Sequence, residues 1–513
     1  MIRVPSKHKS TKATQPDLAR DCGLYRNSGF LLGVIAISGA ANFVDLGSRS
    51  LWLDEFQSAV VAMQRGAALW PALRTDNGNM LFYYALLHVS ESVLGPGPFA
   101  LRALSAVAGM GTTAVVFLLG RRLFSLTVGV IAGLLTALSL PMIVWAQQAR
   151  GYALGTLLIS WSFLALTRAI ESKKWSAWLI YGLAATLSLY TLAISVLFFV
   201  PQLAGLLFLG RGRRPLRQAV IVLTGVGVAI VPLLLLVASH GSAQLIAWAG
   251  APGLSATRGF ITEFTSANVV DFFGARLTAN VVTVAMLGCW LLAVTMGIRK
   301  RRVEGQRPGE LLLVVSWLLL PFTADLLFSV NLRSIFVPSL LVACVPAGTL
   351  LAGLGISYLS RPTLISLITF MLAGLMVANA VPTYGVSGED WQGATRLILT
   401  QSSAQDCMMF NRAGLSTNFA YYWVLAGRPS SAPRPVLPSF SLQQALVPKF
   451  QPRSSPSSVA AISHSCRDVW VIVNRPSFPS QLVLYAHLHL LQESFHRSTL
   501  LLFAHVGVER LSK

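Results

Sequence analysis

The sequence predicts a mainly α, polytopic helical membrane protein with a small α/β domain at its C-terminal end. Three observations carry this: the composition, the placement of basic residues and a change of texture near residue 383. Of 513 residues, 54% are hydrophobic and 12% charged, about half the charged share of a soluble globular chain. The mean hydropathy is +0.63. The formal net charge of +21 invites a nucleic-acid reading, but Lys and Arg fall in short clusters between apolar runs, the pattern that orients helices in a bilayer. No nucleic-acid partner is expected. The chain has no P-loop, no GxGxxG following a strand, no paired CxxC and no HExxH, which removes nucleotide or zinc chemistry built on those motifs.

Apolar runs of about 17–22 residues, the length that spans a bilayer, predict helices near 28–48, 102–120, 124–145, 152–170, 175–191, 193–210, 217–239, 278–298, 311–330, 334–357 and 363–382, eleven crossings within a transmembrane domain at 28–382. The first run continues past Gly39-Ala40-Ala41, so it reads as a retained helix rather than a cleaved signal. Residues 1–27 form a basic tail. Its clusters (Arg3, Lys7, Lys9, Lys12, Arg20, Arg26) share one side with Arg121-Arg122, with Arg168/Lys173/Lys174, with Arg211/Arg213/Arg214/Arg217 and with Arg299–Arg302. That side is the cytoplasm by the positive-inside rule. The loop 49–101, the turn Gln147–Arg150, the loop 240–277, the turn Asn331–Arg333 and everything after 383 then lie outside.

Within the first outer loop, residues 80–94 make a helix of only ~22 Å, short for a ~30 Å hydrocarbon core. They are expected to lie in the interface beside an amphipathic stretch around 54–73 that carries Trp70. In 383–513, Pro, Ser and His rise and no run is long enough to span. Candidate strands occur at 407–410, 469–473 and 499–504, and an amphipathic helix with Trp391, Ala394 and Leu397 on one face leads in. Cys407 and Cys466 adjoin candidate strands; a disulfide and two free thiols both fit that placement. Cys289, Cys344 and Cys22 suggest no chemistry.

Two adjacent carboxylates, Asp54 and Glu55 in RSLWLDEFQS, follow the first span. The plainest reading makes Asp54 the N-cap of a helix beginning after Leu53 and Glu55 a partner of its dipole. Other outer segments add to this pair: Asn79, Tyr83 and Tyr84 at the start of the interfacial helix, Arg102 at the next span, Gln148, Arg150 and Tyr152 in AQQARGYA, and Arg333 in LFSVNLRSIFVP. Arginines from separate loops facing carboxylates make a site for a phosphate-bearing lipid and an acid–base reaction, because guanidinium forks match phosphate oxygens.

Together LWLDE, NMLFYYALLH, LGPGPFALRALSAVAG with LLGRRLF, IVWAQQARGYAL, NLRSIFVPSL and GEDWQGATRLIL resemble the GT-C type membrane glycosyltransferases, specifically those like protein O-mannosyltransferases and lipid A aminoarabinose transferases. The resemblance runs along nearly all of the chain. It implies transfer of a sugar from a polyprenyl-phosphate donor to a lipid, glycan or protein acceptor at the outer face of a bacterial plasma membrane. It also implies Asp54 as catalytic base with Glu55 orienting the acceptor, Arg150, Arg333 and Arg102 holding donor phosphate, and Asn79, Tyr83, Tyr84, Gln148 and Tyr152 contacting substrate. A divalent cation is compatible with it, although two carboxylates on one loop are a sparse ligand set. The chain departs from the family at Asn79-Met80, where relatives carry His or Lys before Pro-Leu, at Gln148 in place of an acid, and at Ser334 in place of Tyr. Asp271 and Asp325 are the candidates for a second acid. A transporter or flippase for a lipid-linked sugar is the rival class, but its polar sites tend toward the midplane between repeated halves, and the sequence shows no repeat.

Overall fold

The computed structural model describes residues 18–239, 252–266, 276–331, 334–448, 462, 465–474, 495 and 497–513, apart from positions 77, 173, 211–212, 305–308, 386–387, 413 and 438. Arg333 and Asp271 lie outside the described residues. Among the described residues seven helices are long and apolar enough to cross a membrane: Pro98–Leu123, Tyr152–Glu171, Arg213–Ser239, Leu277–Lys300, Gly309–Asn331, Leu340–Ser357 and Pro362–Thr383. The pair Leu126–Leu138 and Leu140–Ala146, bent by 57°, makes an eighth. The three remaining predicted spans are helical but shorter, at Ser28–Phe43, Trp175–Thr191 and Ala193–Leu209.

Local chemistry sets these boundaries. Pro98 opens its helix where a missing N–H costs nothing. Ser125 caps the following one through Val128 N at 3.2 Å. The bend between the paired helices falls at Ser139, whose ψ of 118° is extended, just ahead of Pro141. Small residues let the helices touch. A Cβ on Gly120 would lie 2.8 Å from the Gly129 Cα, and one on Gly355 would lie 2.1 Å from the Cys289 carbonyl oxygen. Deeper in the bundle Phe163 stacks on Trp317 with centroids 3.9 Å apart.

The segments assigned to one side of the membrane meet at one end of the bundle. Tyr384 donates to the Ala41 carbonyl at 2.8 Å, Ala149 N donates to Glu55 and Arg49 reaches Thr383. Described members of the basic clusters lie at the other end, where Arg122 pairs with Glu171 at 2.7 Å and Lys300 lies 5.4 Å over the Tyr358 ring. In the first loop, Leu81–Leu94 is a helix as expected. The 54–73 stretch, read as one amphipathic unit, is instead broken into Leu53–Ala62, a 3-10 turn Gly66–Ala68 and Leu69–Leu73. Gly66, with φ of 56°, supplies the left-handed corner. Trp70 is exposed, as an interfacial indole should be.

The C-terminal domain holds a five-stranded sheet of β1 (Cys407–Phe410), β2 (Arg434–Leu437), β3 (Asp468–Asn474), β4 (Arg497–Phe503) and β5 (Val506–Ser512), in the order β2-β1-β3-β5-β4. The β1 strand pairs in parallel with β2 and β3, and β5 runs antiparallel to β3 and β4. Cys407 and Cys466 are joined by a disulfide with Cα atoms 5.6 Å apart. Asp390 caps the helix Trp391–Gln401 through Gly393 N at 2.8 Å. That helix buries Trp391, Ala394, Thr395 and Ile398, with Leu397 at the margin. It packs against the helix Leu415–Leu425, and both lean on the first-loop helix that carries Asp54.

Candidate active site

The helix Leu53–Ala62 begins after Trp52, so Asp54 and Glu55 occupy its second and third positions and neither is the N-cap. Neighbouring helical residues point some 100° apart, and here the two carboxylates part company. Glu55 is fully buried. It accepts from Arg102 Nε at 2.8 Å and Nη2 at 2.6 Å, from Ala149 N at 2.8 Å and from Trp52 N at 3.2 Å. A desolvated carboxylate persists when fork geometry and extra donors replace its water, and all of those are present.

Arg102 is equally committed. Besides Glu55 it donates to the carbonyls of Leu46 (3.1 Å), Arg49 (2.9 Å) and Ser50 (3.0 Å), and only 3% of it is exposed. The expectation that Arg102 holds donor phosphate is corrected here: its donors are already spent on protein acceptors. Glu55, expected to orient an acceptor, is likewise turned inward and braces the loop.

Asp54 is half-buried and makes no side-chain hydrogen bond or ion pair with any described residue. Beyond it lies Arg150, whose Nη1 donates to the Tyr84 hydroxyl at 3.3 Å and whose guanidinium lies 5.8 Å from the Tyr152 ring centre. Burial alone would lower the Arg150 pKa, but Tyr84, Tyr152, Asp54 and Asp76 outweigh it and raise it, so the cation is secure. Tyr84 donates to Asp76 Oδ2 at 2.5 Å. Burial first, and then the Asp76 charge, raise the Tyr84 pKa, which keeps the proton on the phenol. Asp54, Asp76, Tyr84, Arg150 and Tyr152 thus form one electrostatic cluster from four separate segments.

Around it, Gln57 Nε2, Trp52 Nε1, Arg74 Nε, Gln148 Oε1 and Arg150 Nε are buried atoms with no protein partner among the described residues. Folded proteins rarely leave such groups unmet unless a ligand or water meets them. Tyr83 points elsewhere: its hydroxyl is 3.2 Å from Ser105 Oγ, which donates to the Arg150 carbonyl, so it props the arginine from behind. Asn79 accepts from Ala193 N at 3.1 Å, pinning the corner where Met80 holds a left-handed φ of 63°. Gln147 binds the carbonyls of Ala41, Asn42 and Val44 and receives Arg49 at 2.6 Å, closing the end of the first helix. Asp325 is far from this group in sequence and accepts from Ser329 at 3.2 Å.

Sequence reasoning missed Asp76. Its Asp-Asn-Gly-Asn setting reads as a turn; the Tyr84 hydrogen bond and the charge it exerts on Arg150 give it a place in the site. Among the described residues no three His, Cys, Asp or Glu side chains converge as metal ligands, and the charges of Asp54 and Asp76 act on the Arg150 cation.

Residues 80–238 match the family model described as dolichyl-phosphate-mannose-protein mannosyltransferase. No curated protein matches the chain. Among solved structures, ArnT from Cupriavidus metallidurans in the apo state has a TM-score of 0.60 at 13% identity, covering 94% of this chain and 98% of that one. ArnT from the same organism bound to undecaprenyl phosphate has a TM-score of 0.57 at 14% identity, with the same 94% and 98% coverage. The Archaeoglobus fulgidus oligosaccharyltransferase in complex with Zn and sulfate has a TM-score of 0.52 at 11% identity, covering 92% of this chain and 71% of that one. The fold is that of the GT-C type glycosyltransferases of the ArnT and mannosyltransferase superfamily.

Proposed function

We propose, from this GT-C architecture as premise, that the protein transfers a sugar from a polyprenyl-phosphate donor to an acceptor hydroxyl, with Asp54 as general base. The carrying observation is the Asp54 carboxylate, without a hydrogen-bond or ion-pair partner among the described residues, whose charge acts on the fixed Arg150 cation. Undecaprenyl phosphate bound to the ArnT neighbour supports a lipid-phosphate donor.

In the step, the acceptor O–H gives its proton to Asp54 as its oxygen bonds to the sugar's anomeric carbon. The anomeric carbon–phosphate oxygen bond breaks, and its electron pair leaves on the lipid phosphate. The phosphate is a good leaving group and needs little acid help; it needs a cation to receive the growing charge, which Arg150 supplies. Tyr84 and Tyr152 hold that arginine, and Gln148, Gln57 and Trp52 present polar atoms to a sugar. Arg333 adds a second phosphate contact in this reading.

The reaction is assigned to the outer face of the plasma membrane. Support comes from the basic clusters at the opposite end of the bundle and from the Cys407–Cys466 bridge, since disulfides persist in oxidising compartments.

General-base help is worth ~10²–10⁴-fold. Asp54→Asn is therefore expected to slow transfer of radiolabelled sugar from a polyprenyl phosphate in proteoliposomes by that factor, without loss of folded protein. Undiminished turnover would remove Asp54 from the chemistry. Transfer of labelled lipid across the vesicles with no bond made or broken would favour a flippase.

A further inference from the structure

The segment leading into the Asp54 helix is held from two directions through a single peptide unit. The Ser50 carbonyl accepts from Arg102 Nη2 at 3.0 Å, and the Leu51 N–H of the same planar unit donates to the Tyr422 hydroxyl at 2.8 Å. The Tyr422 oxygen is also 3.0 Å from Ser50 Oγ, and Ser50 Oγ accepts from Gln392 N at 3.1 Å. Arg102 belongs to the membrane bundle. Tyr422 and Gln392 belong to the C-terminal domain, more than 340 residues away along the chain.

One turn further on, Phe56 is ringed by Trp391, Tyr421 and Tyr422 in edge contacts with centroids 6.4, 5.6 and 5.8 Å away. A planar peptide clamped at both its oxygen and its nitrogen has no freedom to rotate. The clamp holds the peptide that leads into the first turn of the helix, three residues before Asp54, and the anchored Glu55 holds the same turn from within.

We infer that Tyr422 is a positioning residue: through the Leu51 amide and the Ser50 hydroxyl it aims Asp54, which makes the C-terminal domain a working part of the active centre. The inference rests on the reading of Asp54 as general base. Tyr421 supplies the control. It packs on the same Phe56, but its hydroxyl donates to the Pro96 carbonyl at 2.6 Å and takes no part in the clamp.

The experiment compares full-length wild-type protein, Tyr422→Phe and Tyr421→Phe in nanodiscs. Hydrogen exchange is read by mass spectrometry over residues 50–56, and kcat and KM are measured with a polyprenyl-phosphate sugar. For Tyr422→Phe, exchange at the Leu51 amide should rise about tenfold, the worth of one hydrogen bond. Its kcat should fall about tenfold or more, because small misplacements of a reacting group are costly, with KM within about twofold. Tyr421→Phe should leave all three unchanged. Unaltered exchange in Tyr422→Phe, or an equal loss in both variants, overturns the inference. If the wild-type protein turns over no donor, the glycosyl-transfer reading falls, while the exchange comparison still decides whether Tyr422 holds the Asp54 segment.

Discussion

Asp54 and Glu55 differ by one methylene and one position, yet the fold gives them opposite tasks. Glu55 lies against Arg102 with no water contact, whereas Asp54 keeps an open carboxylate. Breaking a buried pair leaves a charge without compensation, at about 3–5 kcal/mol. Arg102→Met is accordingly expected to lower stability by that amount, read as a shift in the chemical denaturation midpoint in detergent. Asp54→Asn breaks no hydrogen bond or ion pair with a described residue and leaves Tyr84, Tyr152 and Asp76 to hold Arg150, so it should cost less than Arg102→Met in the same assay, about 1 kcal/mol. The sequence announced the carboxylate pair by its place after the first span, but could not assign the roles. That depends on Arg102 and Ala149, and helical direction decides which neighbour faces them. Ser50 and Tyr422 were illegible for a related reason: their partnership spans the chain, and neither residue type stands out locally.

Elements with strong periodicity were the readable ones. Each predicted span overlaps a helix, although 28–48 overruns its helix at Phe43 and 334–357 begins in non-helical chain before Pro338, and β1, β3 and β4 match runs of β-forming residues. The missed strands have identifiable reasons: β2 carries Pro435 at the sheet edge, and β5 mixes Gly507, Glu509 and Arg510 into its run. How closely helices approach was not readable either. At Gly355 the helices Arg276–Glu304 and Val345–Ser357 come within backbone contact. Gly355→Leu should cost about 1–3 kcal/mol by overpacking, seen as a lower melting temperature by intrinsic fluorescence.

The helix Leu254–Ser266 offers a pH test. It is fixed by Thr265 against Thr283 at 2.7 Å and by Phe260 against Phe322, with ring centroids 3.9 Å apart. Burial pushes its Glu263 carboxyl up to about 7 from an ordinary 4.5. The folded state then binds more protons than the unfolded one between those values, so stability falls as pH rises through that window and levels off above it. The contribution is roughly 3 kcal/mol. Glu263→Gln should flatten that slope in melting temperatures taken from pH 5 to 8.

At the scale of the whole molecule, composition and basic clusters were enough to foresee a helical bundle with a separate sheet domain. They could not foresee that the domain would clasp the first loop, because docking is a matter of shape and of a few hydrogen bonds. That clasp limits how the protein can admit its substrates. A helix gripped by aromatic rings on one flank and by an arginine on the other is a poor trapdoor. In the transfer proposed above, loading then runs past it, by sideways passage of the greasy carrier from the surrounding bilayer, with the aspartate waiting as a stationary anvil rather than arriving on a moving arm.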